Sequence, residues 1–445
     1  MPTTTATEEA ARQPREVSAT RGDRARLTRT RIVDAARETF VTHGYRTASL
    51  RDVATAAGIS HPGLLKHFAT KDELLAAVVE SFEAENETLF LQQVASEDPG
   101  ALAYSLLAQR NATIPGYLPL FAALTGEAST RRHPAHERMR ARYADLRDVS
   151  EAAMEEGILH DTVAPDRDPR GEAIRISAAW DGLQVLEQYL PDRVDLVGML
   201  EEHESMLALP VGWREPSEPP PGAVAVAAPV PPLPDFSGDV WALGPEAGTD
   251  VSGYRVGRER RARIVADATA LFAEEGYGDT SLREIAERVG VSKSTLLHHY
   301  ASKEQLLRAV LAERDRGIQG RASFVPGNRA ADELRALPRG AAENATDAPG
   351  LIEVYAVLSC EAVPADHPAH AYFAHRYVQT IDHFAALFQA AQADGDLPAH
   401  RDPEREAVWL VALWDGLQYQ WLYDRAAVDV AAELSAHLAD VLPVT

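Results

Sequence analysis

Apolar residues recur along this chain at the three- and four-residue spacing of amphipathic helices, and four such runs follow one another within residues 21–80. Ile32, Val33, Ala36, Phe40 and Val41 give a first helix one core-facing side. Arg21, Arg24, Arg26, Arg29 and Arg31 lead into it, and Gly44 closes it, because the residue past a helix C-terminus commonly needs a positive φ. Ser49 with Asp52 reads as an N-cap with an acid three residues on, and Leu50, Val53, Ala54 and Ala57 form the apolar face of the second helix. Gly58 supplies a tight turn. Ser60 caps a short third helix in which Leu64, Leu65 and Phe68 point inward, leaving His61, Gly63, Lys66 and His67 on the outer side. Pro62 occupies its first turn, where a missing N–H costs little. Thr70 with Glu73 caps a long fourth helix that opens at Lys71 and runs on through Leu74, Leu75, Val78 and Val79.

The same pattern returns downstream. From Arg31 to Glu80 the chain matches itself 232 positions later without a gap, with 22 of 50 residues identical. SLRDVATAAGISHPGLLKHFATK at 49–71 becomes SLREIAERVGVSKSTLLHHYASK at 281–303. The helical pattern of residues 81–209 is echoed as well: LTGEA at 124 and LSCEA at 358, HPAH at 133 and 367, and WDGLQ at 180 and 414 all stand 234 apart. An entire two-part unit has therefore been duplicated. The expected layout is a disordered tail at 1–20, a first helix-turn-helix domain at 21–80, and a first helical domain at 81–209. A Pro-rich linker at 210–254, a second helix-turn-helix domain at 255–312 and a second helical domain at 313–445 follow.

Composition changes this picture at three points. The single cysteine, Cys360, rules out an intramolecular disulfide, points to a reducing cytoplasmic compartment, and reads as a small core residue. No apolar run approaches the roughly 20 residues needed to cross a bilayer, so no membrane partner is expected. The net charge of −23 argues against a polyanionic partner until its distribution is examined: residues 21–80 total +3 and residues 255–310 total +2. All four lysines, Lys66, Lys71, Lys293 and Lys303, lie in the repeated stretches.

Two short helices joined by a glycine turn make the second of them a reader, because an α-helix fits the DNA major groove while its neighbour braces it on the backbone. The fourth helix opens with unpaired N–H groups and a lysine, an arrangement suited to phosphate. Residues 24–80 and 256–312 resemble the DNA-binding domain of TetR-family transcriptional regulators. The resemblance is carried by Gly44-Tyr45 and Gly276-Tyr277, by the S-L-R-x-hydrophobic-A of the second helix, by the G-hydrophobic-S turn, and by the endings Leu64–Lys71 and Leu296–Lys303. It implies an all-α fold and DNA contacts from Arg24, Ser49, Ser60, His61, Gly63, Lys66, His67 and Lys71 in the first copy. In the second copy it implies them from Arg258, Ser281, Ser292, Lys293, Ser294, Thr295, His298, His299 and Lys303. The family usually carries Tyr where this chain has Leu65 and Leu297, so the phosphate contact that hydroxyl often makes has no donor here.

The resemblance also implies that the WDGLQ segments, through Trp180, Gly182, Leu183, Trp414, Gly416 and Leu417, pair copy one with copy two as an intrachain pseudo-dimer; an ordinary core helix explains the pattern almost as well. Ten prolines between Pro210 and Pro245 read as an extended linker able to span up to roughly 100 Å at about 3.1 Å per residue. The HPAH segments place His133 and His136, or His367 and His370, near Glu127 or Glu361, but His before Pro is an ordinary helix start and no metal or cofactor is expected. No phosphate-cradling glycine loop or nucleophile motif points to an enzyme. The expected partners are a double-stranded DNA operator and a small-molecule effector of unidentified structure, with further homodimerisation open. The divergence of His61-Pro62-Gly63 and Lys66 from Lys293-Ser294-Thr295 and His298 predicts an operator with unequal halves. The alternative is that one reader is degenerate and its unit serves only dimerisation or effector sensing.

Overall fold

The computed structural model describes residues 21–43, 45, 48–94, 100–130, 133, 135–224, 229–234, 255–319, 328–347 and 349–444, and the secondary structure in them is helical throughout, without strands. The expected tail at 1–20, Gly44, and the linker beyond residue 234 lie outside the described residues. The first copy contributes α1 (Arg21–His43), α2 (Leu50–Ala56), α3 (His61–Leu64), α4 (Lys71–Val94), α5 (Tyr104–Thr113), α6 (Tyr117–Glu127), α7 (His136–Leu159), α8 (Pro169–Tyr189) and α9 (Leu196–Met206). The second copy contributes α10 (Arg255–Asp279), α11 (Leu282–Val289), α12 (Lys293–His299), α13 (Lys303–Gln319), α14 (Ala330–Arg335) and α15 (Leu337–Asp347). It continues through α16 (Pro349–Glu361), α17 (His370–Ala393), α18 (Pro403–Tyr423) and α19 (Val430–Val441).

The chain forms two compact units, residues 1–81 and 82–445, so the division does not fall between the copies. The first unit holds the first reader alone. Its core is Ile32, Ala36, Phe40, Val53, Leu64, Phe68, Leu74 and Val78, all nearly inaccessible, which are the positions the helical spacing marks as inward. The second unit joins the first helical domain to the whole second copy through one continuous core that runs from Ala108 and Met154 through α8 and α18 to Leu442.

The long helices α8 and α18 start alike. Asp168 accepts the Gly171 N–H and Asp402 accepts the Glu404 and Arg405 N–H groups, each with proline in the first helical turn. Both are buried on nearly every side, as suits helices at the centre of a larger core. They meet where glycine removes the side chain: a Cβ on Gly182 would sit 2.7 Å from the Ala412 Cα, and one on Gly416 would sit 3.0 Å from the Ala178 Cα, each closer still to the carbonyl oxygen. Since 182 and 416, like 178 and 412, stand 234 apart, the two contacts are the same contact seen from each copy.

That reciprocity extends outward. Tyr189 donates its hydroxyl to the Ser359 carbonyl at 2.5 Å, and its counterpart Tyr423 donates to the Leu124 and Thr125 carbonyls at 3.2 and 2.9 Å. Tyr189 stacks on His370 with ring centres 5.0 Å apart, as Tyr423 does on His136 at 5.5 Å. Each such hydrogen bond contributes about 1 kcal/mol net. At the point where α6 meets α16, Cys360 lies against its own repeat equivalent, Gly126, so one side chain fills a space that two could not share. Cys360 is buried, a core residue.

The linker's first half is fixed to the protein, and the reach of a freely extended chain does not apply to it. Arg214 donates to the Asp396 and Gly395 carbonyls at 2.9 and 2.8 Å, Gly222 N–H donates to Asp396 at 2.9 Å, and Arg329 donates to the Val224 carbonyl at 2.9 Å. Proline-rich composition favours an extended backbone, but buried Asp396 supplies acceptors that tie this one down.

Candidate nucleic-acid interface and effector cavity

Each reader is assembled from the same caps. Ser49 accepts the Asp52 N–H at 3.2 Å while the Asp52 carboxylate accepts the Ser49 N–H at 2.9 Å; Ser281 and Glu284 repeat the pair at 3.2 and 2.7 Å. The turns pass through Gly58 at φ +64° and Gly290 at φ +76°, a conformation that penalises any other residue. Ser60 accepts the Gly63 N–H at 3.2 Å to open α3, and Ser292 accepts the Thr295 N–H at 3.1 Å to open α12. The four serines thus orient the helices whether or not they also touch a phosphate.

Leu64 and Phe68 anchor α3 and its following turn in the core, which leaves Lys66 exposed and His61, Gly63 and His67 half-buried. Leu296 and Tyr300 anchor α12 likewise, with Lys293, Ser294 and His298 exposed and Thr295 and His299 half-buried. The Ser294 and Thr295 hydroxyls each lie 2.8 Å from the Ser292 hydroxyl, so these two reading positions are tied to the cap. Partial burial, followed by the nearby Arg261, His298 and Arg260, holds His299 below the ordinary histidine range, which favours the neutral ring. The second reader is longer than the four-residue α3 and richer in side-chain donors. Leu65, expected to point inward, is instead exposed at 39%, as Leu297 is at 37%, because Leu64 and Phe68 already fill the inward side of the short helix.

Lys71 and Lys303 are seated alike. Lys71 Nζ stands 4.4 Å from the Tyr45 ring centre and Lys303 Nζ stands 4.3 Å from that of Tyr277, and Lys303 also donates to the Gly278 carbonyl at 3.2 Å. Arg24 and Arg258 lie exposed on α1 and α10. A further pair follows them on the same helices: Arg29 lies 4.1 Å from the Phe68 ring and donates to the His67 carbonyl at 3.2 Å, and Arg261 lies 6.0 Å from the Tyr300 ring. These residues brace the first helix against the end of the reader. Their shared spacing of 232 was a visible signal, although an arginine-rich arm masks which arginine turns inward.

Gly182 and Gly416 stand at the crossing of α8 and α18, and Leu183 and Leu417 are fully buried. The tryptophans turn toward their own domains: the Trp180 ring lies 6.5 Å from Tyr104, and Trp414 lines a cavity in the second helical domain. In the HPAH segments, His136 Nδ1 lies 2.9 Å from the Ala128 carbonyl and His370 Nδ1 lies 3.0 Å from the Ala362 carbonyl, while His133 and His367 each accept an N–H two residues on at 3.2 Å. They work as local clasps. Glu361 accepts the Tyr277 N–H at 2.7 Å and the Gly278 N–H, joining α16 to the end of α10 just past its kink at Gly276; the side chain of Glu127 lies outside the described residues.

The cavity has a volume of about 410 Å³ and is lined chiefly from α13, α15, α16, α17 and α18, with the linker residues Val230, Pro231 and Leu233 on one side. Leu351, Ile352, Leu387 and Val411 make it largely apolar. Asp415 lies within its wall, receives the Tyr377 hydroxyl at 3.0 Å, and is pushed by burial up to about 6.

Comparison with known proteins agrees with the duplication. The family profile described as "Bacterial regulatory proteins, tetR family" matches residues 32–78 and again 264–310. The HTH-type transcriptional regulatory protein RaaS of Mycobacterium tuberculosis is 30% identical over 181 residues, 40% of this chain and 81% of that protein. The HTH-type transcriptional repressor KstR2 of Rhodococcus jostii is 25% identical over 35% of this chain and 79% of its own length. A solved TetR-family regulator from Rhodococcus sp. aligns at 25% identity over 42% of this chain and 99% of that chain, with a TM-score of 0.34.

Proposed function

Because the chain belongs to the TetR family of bacterial regulatory proteins as a tandem of two such units, we propose that it is a ligand-responsive repressor whose two readers address unequal halves of one operator. The reciprocal contact of Gly182 with Ala412 and of Gly416 with Ala178 supports the pairing of the two copies as a pseudo-dimer within one chain. A homodimeric regulator reads a palindrome because its two readers are identical. Here the shared frame carries His61, Pro62, Gly63 and Lys66 in one copy and Lys293, Ser294, Thr295 and His298 in the other. This divergence is the observation that carries the reading: different donors at the same frame positions recognise different base edges. Effector binding in a helical domain changes the separation of the readers and, because both half-sites must be engaged together, releases the DNA by population shift. A second reading has one observation in its favour. The short α3 offers fewer side-chain donors than α12, so the first copy could serve assembly while the second reads.

Selection of bound DNA from a random pool with the intact chain tests both. Two distinct half-motifs at a fixed spacing support the proposal. A perfect palindrome with both halves used equally contradicts it, and a single half-motif favours the second reading.

A further inference from the structure

The two helical domains are not equal as containers. In the second, Arg314, Leu351 and Tyr355 border the cavity of about 410 Å³, a volume within the ~300–1,000 Å³ range of small-molecule sites. Their repeat equivalents in the first are Phe82, Tyr117 and Phe121. These three rings pack on one another at centre distances of 5.0, 6.0 and 4.4 Å, each nearly inaccessible. Tyr117 in place of Leu351 thus completes a packed cluster of three rings in copy one where copy two leaves space. The linker adds a second difference, since Val230, Pro231 and Leu233 wall the cavity of copy two.

The polar groups of the cavity are largely matched among themselves. Arg376 pairs with Asp315 at 2.6 Å, Arg314 stands 3.4 Å from the same carboxylate and 3.5 Å from the Tyr355 ring centre, and Arg339 faces Glu343 at 3.8 Å. The guanidiniums of Arg314 and Arg376 are balanced by Asp315 and Asp415, so a charged guest would leave an uncompensated charge in a poorly hydrated site. Two groups remain incompletely used. The Trp414 indole Nε1 is buried with no hydrogen-bond partner among the described residues, and the Asp415 carboxylate, which accepts the Tyr377 hydroxyl at 3.0 Å, has lone pairs for more than one donor. A hydroxyl can accept from the first and donate to the second.

We propose that the chain binds one effector, in the second helical domain only, and that this effector is an uncharged, mainly apolar molecule ending in a hydroxyl, held at Trp414 and Asp415 beneath the linker segment Val230–Leu233. The inference rests on the ligand-responsive reading above for the word effector; the binding itself does not depend on DNA. Four probes of equal chain length separate the chemistries: 1-decanol, decanoate, decylammonium and decane, titrated calorimetrically into the full-length chain. Decanol binds one per chain, about tenfold or more tighter than either ion, and about tenfold or more tighter than decane, the effect of its two hydrogen bonds.

Gly340→Phe, at a position where an added Cβ meets nothing within 4 Å, projects a ring into the cavity and abolishes decanol binding with thermal unfolding unchanged. Ile352→Trp, on α16, does the same and serves as the independent check. Two decanol molecules per chain, a preference for either ion, or binding that survives both substitutions overturns the inference. If decanol binds as stated but the chain selects no DNA, the regulator reading fails and the cavity assignment stands. If DNA is selected and decanol does not bind, the reverse holds.

Discussion

Replacing Gly416 by Ala puts a single methyl group into the crossing of α8 and α18. Helix propensity alone favours the change by about 1 kcal/mol, since glycine is the poorer residue inside a helix. Packing decides otherwise. The new Cβ lands 3.0 Å from the Ala178 Cα and closer to its carbonyl, whereas carbon atoms rest at ~3.5–4.0 Å, so the helices must separate by about 1 Å or tilt. The obstruction is backbone, and no rotamer change relieves it. Overpacking of this kind costs ~1–3 kcal/mol, and the separation also lengthens the reciprocal bonds of Tyr189 and Tyr423, at about 1 kcal/mol each.

The net expectation is a loss of about 2 kcal/mol or more for Gly416→Ala, and the same for Gly182→Ala. The double variant should lose less than the sum, because helices already parted by one methyl accommodate the other. Urea unfolding followed by circular dichroism reads these values, with Gly340→Ala as a control, stabilising by up to about 1 kcal/mol since its Cβ meets open space. A Gly416→Ala chain as stable as the parent, or two fully additive losses, would refute the close crossing.

Lys71→Ala and Lys303→Ala should weaken binding to every DNA sequence and lower the slope of log affinity against log salt by about one unit each, because such a lysine meets phosphate. An unchanged slope in both would show that their seats on Tyr45 and Tyr277 are purely structural. Exchanging Lys293, Ser294 and Thr295 for the His, Pro and Gly of the first reader should shift the selected operator toward a palindrome; an unaltered motif would remove α12 from recognition. Burial, followed by Arg167 near His203 and Arg401 near His437, lowers both histidines to about 3, so the folded chain keeps them neutral while the unfolded chain protonates near 6.5. Stability is therefore lost as pH falls from about 6.5 toward 3, by about 3 kcal/mol per histidine at pH 4.5. Asp181 and Asp415, pushed by burial up to about 6, act with the opposite sign, losing stability as pH rises from about 4 to 6. In His203→Gln/His437→Gln the urea midpoint should fall less on going from pH 7 to 4.5 than in the parent, and an equal fall would contradict the assignment.

The helical fold and its duplication were legible because both are written in short-range periodicity: Leu64 and Phe68 fall inward for the reason their spacing gives, and the two family matches stand 232 apart as the repeat does. Caps were legible too, since Ser49 and Ser281 need only a partner three residues on. What escaped depends on where distant segments meet. The substitution of Tyr117 by Leu351 is plain in the aligned copies, but only packing shows that it fills one domain and opens the other. The prolines of the linker foretold an extended chain and could not foretell that Asp396 would hold it. Arg29 and Arg261 were hidden among arginines that share their composition and differ in the ring they face.

The most direct test of the central claim is the mass of the operator complex, measured by native mass spectrometry on the selected site. One chain of 48.4 kDa bound to a site with two unlike half-motifs is the predicted result. Two chains on a palindrome, each reading it with the same helix, would contradict it.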